Sequence, residues 1–528
     1  MIKKISLITA VLLATLTLIS TAGKVPLGRA DQKTHLQTAS KFAELNKIID
    51  SETAEKKVTL APKCSDEIFC RRIYLDLAGT LPTPEQATSF FENSSPDKRA
   101  KLINQILESK EFAWYWSLKW GDHLRIKSEF PIKLWPNAVA AYSTWVTHAI
   151  EKNMPYDKFA RALLTTSGSN FRKPAVNFYR AIQLRTPHGI AGAVSLTFLG
   201  CDLKNLTHAQ QKNLTQFFTR VKYKSTSEWK EEIVFNDPAP VKKMVLTLPD
   251  GSQVTPGTFE DRREVFANWL TKKQNRFFAR SAVNRIWFWI FGKGLIHPAD
   301  NCSLANPPVY PKILRYLETE FIRSGYDRKH LIRLIVNSKI YNQSAVPVEP
   351  VRKAKYFFAS YPVRRLDAEI IIDAINQITG SHEKYMSIVP EPFTFIPTDR
   401  RTIQLADGSI TSEFLNMFGR PNRDTGKLSE RNNKPSISQQ LFMLNSTTLA
   451  NKIKKSKKLS AIIRGRKYKV DEKIDQLYLL ILSREPTSQE KNYLRAYLKK
   501  ARKGRGKFDA AVDIVWALMN TKEFLYRH

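Results

Sequence analysis

Two four-residue phrases constrain this chain more than any other feature, because each sets the start of a helix. Thr83-Pro84-Glu85-Gln86 and Thr487-Ser488-Gln489-Glu490 place a hydroxyl at an N-cap and an amide or carboxylate three residues on, so that each side chain satisfies a backbone amide left open at the helix end. Proline at the first helical position is harmless, since its missing N–H would have no partner there. Ser95-Pro96-Asp97 opens a third helix, followed by Leu102, Ile103, Ile106 and Leu107 at a period of about 3.6. A chain punctuated this way is mainly α.

The clearest strand signal is KKMVLTLPDGSQVTPGT at 242–258, where alternation around Pro249-Asp250-Gly251 predicts a small β-hairpin. It lies between two long helical stretches. The 528 residues exceed the roughly 250–300 at which one core stops growing. The expected organisation is two helical domains: an N-terminal helical segment at 23–59, a first domain at 60–240, the hairpin spacer at 241–258 and a second domain at 259–525.

An internal echo supports one recurring helical unit. YLDLAGTLPTPEQ (74–86) aligns without gaps to YLLILSREPTSQE (478–490), and each is followed by a helix ending alike, LESKEF at 107–112 and MNTKEF at 519–524. VNSKIY at 336–341 repeats only the terminal part. Such units bury apolar faces, so they imply packing before chemistry.

The first residues, MIKKISLITAVLLATLTLISTAGK, carry Lys3 and Lys4, an apolar run from Ile5 to Ile19, and then Ser20 and Ala22 at cleavage-site spacing. This reads as a signal peptide over 1–22 and an exported, periplasmic or extracellular, protein. The run is shorter than the roughly 20 residues a membrane span needs. Export permits disulfides. Cys64, Cys70, Cys201 and Cys302 allow three complete pairings, with Cys64–Cys70 the local candidate and free buried thiols the alternative.

Lysine and arginine number 84 against 49 acids, a formal net charge of +35, and KIKKSKKLSAIIRGRKYK (452–469) contains no acid. Lys454, Lys455, Lys457, Lys458, Arg464 and Arg466 form a basic patch that suits either solubility or a polyanion. Export argues against nucleic acid, leaving anionic polysaccharide, anionic lipid or an acidic protein as the partner classes.

Three clusters carry candidate chemistry. In SYPVRRLDAEIIIDAI (360–375), Arg364 and Arg365 precede Asp367, Glu369 and Asp373. On a helix Glu369 and Asp373 share a face, as paired acid/base groups would require, while Asp367 suits an N-cap. In NMFGRPNRDTGKLSERNNKPSISQQLFMLN (416–445), Arg420, Arg423 and Arg431 could clamp a planar anion, or pin the loop through Asp424 and Glu430. In the third, Trp287 to Phe291 is too continuously apolar for one helix face and reads as core ending at Gly292 and Gly294, with Asn284, Arg285, Asp300 and Asn306 its polar residues. No CxxCH, CxxC, HExxH, GxSxG or P-loop pattern occurs, so neither a metal site nor a cofactor is expected.

Several motifs together resemble a known family. CRRIYLDLAGTLPTPEQ (70–86), NFYRA (177–181), SLTFLG (195–200) and STSEWKEEIVFNDP (225–238) are similar to the first domain of a Planctomycete cytochrome-associated family, domain of unknown function 1549. The stretch at 268–308, YPVRRLDAE (361–369), FGRPNRD (418–424) and PSISQQLFMLN (435–445) are similar to its companion, domain 1553. The resemblance spans roughly 60–525 and implies no settled activity; relatives are found beside sulfatases and polysaccharide-degrading enzymes. Many relatives carry CxxCH after the FLG motif, where this chain has Cys201 and His208 seven residues apart. Relatives often have Cys-x-Cys-Glu-Arg where this chain has Lys427-Leu428-Ser429-Glu430-Arg431, and a histidine where it has Tyr310. This looks like a haem-free branch.

The resulting expectation is an exported binding or scaffold protein for an anionic polysaccharide or acidic partner. One alternative is a polysaccharide-acting enzyme using Asp367, Glu369 and Asp373 with Arg364, Arg365 and Arg420; another is an accessory to a separate c-type cytochrome.

Overall fold

In a computed structural model, residues 29–465, 468–501 and 505–528 are described. The expected signal peptide and Arg466 lie outside the described residues. The fold is mainly α, with three small antiparallel sheets. No described helix is long and apolar enough to cross a membrane.

The helices that position the site are α1 (Arg29–Glu55), α2 (Asp66–Ile73), α3 (Pro84–Glu92), α4 (Lys110–His123), α5 (Arg276–Phe291), α6 (Ala368–Thr379), α7 (Ile437–Asn445), α8 (Val470–Leu482) and α9 (Ser488–Lys500). Both sequence-coded capping boxes form: Thr83 and Gln86 exchange bonds at the start of α3, and Thr487 and Glu490 at the start of α9. The aromatic run of α5 is core, as expected. Trp287, Trp289, Ile290 and Phe291 are buried, and α5 stops at Gly292, whose φ of 75° places it in the left-handed region.

Strands β1 (Gly168–Ser169), β2 (Val221–Ser225) and β3 (Glu232–Asn236) form a sheet with β3 central. The short strands β4 (Leu246–Thr247) and β5 (Gln253–Val254) pair around Asp250-Gly251. A third sheet joins β6 (Arg364–Arg365) to β7 (Tyr526–Arg527), with Arg364 opposite Arg527 and Arg365 opposite Tyr526.

One contiguous apolar cluster runs from Leu45 to Phe524. It includes contacts across the hairpin: Trp116 and Trp120 of α4 meet Trp289 of α5 edge-on, with centroids 5.8 and 5.1 Å apart. Offset and edge-to-face geometry is what the ring quadrupoles favour.

Two five-residue π-helical turns interrupt the α pattern, Tyr74–Ala78 after α2 and Ser195–Leu199. Both end in a left-handed glycine, Gly79 at φ 61° and Gly200 at φ 64°. The second is held by Arg285 of α5, which donates to the carbonyls of Thr197 (2.6 Å) and Leu196 (2.7 Å). All four cysteines are buried and free, so the local Cys64–Cys70 pairing is not formed.

Candidate functional site

A buried charge network begins at the first π-turn. Asp76 accepts from the hydroxyls of Tyr361 (2.7 Å) and Tyr341 (2.9 Å), and its other oxygen lies 3.1 Å from both Arg364 and Arg527. Those arginines face each other across β6 and β7, so the short sheet gathers them. Arg364 also donates to the carbonyls of Trp289 and Ile290 at the end of α5, where the helix dipole favours a cation.

Asp367 stands at the N-cap of α6, but its side chain does not cap the helix. Instead it accepts from Asn433 (2.6 Å), the Tyr115 hydroxyl (2.7 Å) and Arg527 (3.1 Å), with the Lys119 ammonium 3.5 Å away. The N-cap expectation therefore holds for the position and fails for the carboxylate, because stronger cationic donors reach it. Burial alone would raise its pKa, but Lys119, Arg527, Arg431 and Arg364 outweigh that and hold it well below the usual carboxylate range. Burial in turn pushes Lys119 down to about 8, despite Asp367.

The loop at 420–434 closes over this network. Arg431 bridges Asp122 of α4 (2.6 Å) and Glu369 of α6 (2.7 Å). Arg423, itself in the left-handed region at φ 58°, donates to Asp122 (2.8 Å) and to the carbonyls of Ala406 and Ile126. Asp424 pairs with Lys127 at 2.7 Å, and Glu430 accepts from the Thr425 amide at 2.6 Å. Arg420 donates to Asn416 within its own turn. Arg423 and Arg431 therefore pin the loop, but through Asp122 and Glu369 of the helices beneath it and not through the expected Asp424 and Glu430.

Glu369 and Asp373 part company despite sharing a helix face. Asp373 accepts from the amides of Thr402 (2.8 Å) and Ile403 (3.2 Å) and faces Arg401. Burial raises its pKa, opposed by Arg401 and those amides. Asp373 thus stands apart from Asp367 and Glu369, which share the charge of Arg431, and of the three only Asp367 lines the cleft described next.

Above the network lies a cleft of about 1070 Å³. Its lining carries nine lysines and arginines (Lys119, Lys204, Lys293, Lys355, Arg364, Arg365, Lys427, Arg431, Lys434) against four aspartates (Asp122, Asp202, Asp300, Asp367). Lys427 pairs with Asp202 at 2.6 Å. Lys293, Lys355 and Lys434 make no ion pair with any described residue, and Lys355 and Lys434 are exposed. Burial and the neighbouring Lys355 push Lys293 below the usual lysine range, as expected of adjacent like charges. Arg365 donates to the carbonyls of Phe418 (2.7 Å) and Asn432 (3.0 Å), while its Nε and second terminal nitrogen meet no partner among the described residues.

Trp289, Phe288 and Tyr526 supply aromatic surface to the cleft wall. Through Lys293, His297 and Lys355 the cleft adjoins a second groove of about 610 Å³, lined further by Arg352, Lys353 and Tyr356. Asp300 adds a carboxyl whose Oδ2 accepts from the Leu428 amide at 2.8 Å and whose Oδ1 has no partner among the described residues. Burial raises its pKa.

Sequence reasoning located Arg364, Arg365, Asp367, Glu369 and Arg431, which the fold brings together, and Asp300 as a polar residue of its segment. It missed Asp76, Lys119, Asp122, Arg527 and the cleft lysines, which carry no local motif; Asp76 sits inside the YLDLAG phrase, noted only for its repeat. The basic patch lies elsewhere. Lys454, Lys455 and Lys457 are exposed, Lys458 donates to the Gln377 carbonyl at 2.8 Å, and Arg464 stacks 4.0 Å from the Phe508 ring centroid.

Residues 44–234 match a family model described as a protein of unknown function, DUF1549 (PSCyt2), and residues 262–498 match a second, DUF1553 (PSD1). The chain belongs to the family that pairs these two domains. No curated protein and no solved structure matches it. The family's cytochrome label raises the question of haem, and the residues at 201–208 do not fit covalent attachment. Cys201 is buried, with burial pushing its thiol up to about 11, and His208 is the exposed first residue of the helix His208–Thr215. Among the described residues no group of three or more His, Cys, Asp or Glu is placed to hold a metal ion.

Proposed function

We propose that this is an exported binding protein that holds an anionic polysaccharide, or an acidic partner presenting similar charge, in the cleft between its two family domains. The observation that carries this reading is the excess of nine cationic side chains over four acids in one concave site, with Lys293, Lys355 and Lys434 in no ion pair among the described residues. Clefts lined by one sign of charge between low-dielectric walls focus the field and favour a counter-charged ligand. The adjoining groove extends the concave surface past Lys293 and Lys355, which suits a polymer more than a compact metabolite. Aromatic surface beside the cations favours a saccharide among anionic polymers, because a sugar presents an apolar face and a polar edge.

The test is binding of the mature protein to chondroitin sulfate, polygalacturonate and the neutral glucan pullulan across a salt series, with a Lys355→Gln/Lys434→Gln variant alongside. The expected result is selective binding of the two polyanions that persists at about 0.15 M salt, where the Debye length is about 8 Å, and weakens about tenfold in the variant. A second variant with Lys454, Lys455 and Lys457 changed to Gln is expected to bind as wild type. Binding that is absent, or unaffected by the cleft substitutions, would sink the cleft reading; loss only in the second variant would move the site to the basic patch.

A further inference from the structure

A second surface feature lies outside the cleft lining. Trp135, Trp229 and Phe393 come from three separate segments and meet as one ring cluster, with centroids 4.7 Å apart for the two indoles, 5.0 Å for Trp229–Phe393 and 5.6 Å for Trp135–Phe393. Apolar side chains gathered from distant parts of a chain ordinarily sink into the core, yet Trp229 is 57% exposed and Phe393 41%. The backbone beneath them is costly. Trp135 has φ 74° and ψ 146°, a conformation that a bulky L-residue rarely adopts, and Lys230 has φ 61°. Lys230 is fixed there by Asn170, a fully buried side chain whose Nδ2 donates to its carbonyl.

The rim is cationic. The Lys230 ammonium lies 5.2 Å from the Trp135 ring and 5.6 Å from the Trp229 ring. On the loop that leads into Trp135, Lys133 lies 5.4 Å from the ring of Phe130, itself 72% exposed. Aromatic face and ammonium thus occur as a pair twice along 130–135. A ligand that repeats an apolar face beside a negative group matches that arrangement.

We infer that Trp135, Trp229 and Phe393, rimmed by Lys230, form a stacking site for a pyranose ring of an acidic polysaccharide. The apolar C–H face of the sugar lies on the exposed indole, and its carboxylate or sulfate meets the ammonium. This inference rests on the saccharide reading of the cleft for its ligand class, but its residues are different, and so are the arms of its test.

The experiment measures binding of the full chain to polygalacturonate, pullulan and poly-L-glutamate, the last carrying carboxylates without sugar rings. Trp229→Ala is expected to weaken polygalacturonate binding by about tenfold, the order seen when an exposed anchoring tryptophan is truncated, and to leave poly-L-glutamate unchanged. Trp229→Phe should restore part of the loss, and Lys230→Gln should weaken polygalacturonate binding, with pullulan the non-binding control throughout. Thermal melting of each variant verifies the fold. Equal binding of Trp229→Ala and wild type to polygalacturonate, or an equal loss for both polyanions, overturns the stacking site. So does concentration-dependent self-association, seen by sedimentation velocity, that disappears in Trp229→Ala, since the rings would then face a second copy. If polygalacturonate binding depends on Trp229 but is unchanged in the Lys355→Gln/Lys434→Gln variant, the cleft reading falls and this one stands.

Discussion

Asp367 is the residue on which the site's geometry most depends, because it is buried and answers to four cations at once. Replacing one partner of a buried ion network is more damaging than the network's net worth, since the remaining charges stay desolvated. Asp367→Asn is therefore expected to lower stability by about 3 kcal/mol in denaturant titration. Its pH signature has a definite sign. A carboxyl whose folded pKa is depressed contributes fully above its unfolded value of about 3.9, and the contribution is lost as pH falls through the folded value. Wild-type stability should fall on acidification below about pH 4, and the variant should flatten that fall. Lys119 gives a slope of the same sign at the alkaline end. Its folded pKa of about 8 lies below the usual lysine value, so the unfolded chain binds more protons above pH 8 and stability rises there. Lys119→Met should remove that alkaline rise; an unchanged profile would mean that Lys119 is not desolvated as described. None of these pairings could be read from spacing. Glu369 and Asp373 share a helix face, but Arg431 and Arg401, which take them, arrive from different loops.

At the scale of elements, what was legible was what is local. Capping boxes act over three residues, and both formed where the sequence wrote them. The repeat also proves physical. Ser109, Ser338 and Thr521 each accept from the amide three residues on, belonging to the buried aromatics Phe112, Tyr341 and Phe524. Arg71 of α2 ties the outer two units together by donating to the carbonyls of Ile481 and Phe524. The matched phrases nevertheless differ: YLDLA winds as a π-turn ending at Gly79, whereas YLLIL stays α-helical and ends at Ser483 with φ 58°. The π-turn depends on partners distant in sequence, so no local pattern announces it, and strands as short as β1 escape for the same reason. The glycines closing the π-turns are the sensitive points. A Cβ at Gly200 would lie 2.8 Å from the Ser281 hydroxyl and 3.0 Å from the Cys302 sulfur, on top of the left-handed backbone. Gly200→Ala is expected to destabilise by about 2–4 kcal/mol, against about 1 kcal/mol for Thr487→Ala, which removes only a cap. Chemical denaturation of both variants checks the order; equal effects would mean that the π-turn relaxes freely.

At the scale of the molecule, the expectation of separate domains meets a core that does not divide at the hairpin. The apolar cluster is continuous from Leu45 to Phe524, and the cleft is lined from both sides of residue 250. The polar links are as long-range: Asp76 is answered by Arg364 and Arg527, and Asp367 by Tyr115 and Lys119. Separating the halves would leave the buried Asp76 without its two arginines on one side, and on the other Arg364 without its acid and Asp367 without Tyr115 and Lys119, beyond the apolar surface exposed around Trp120 and Trp289. The whole chain is therefore expected to unfold in one calorimetric transition, with calorimetric and van't Hoff enthalpies in agreement. Chains covering 29–240 and 259–528, produced separately, should lack sharp tertiary signals in near-ultraviolet circular dichroism and regain them on mixing. Two resolved transitions, or a native-like spectrum from either half alone, would show that the family's two domains fold independently and that the cleft is an interface free to open. A single transition would make the cleft a fixed feature of one folded body, so that the cations along its walls are held in place before any ligand arrives.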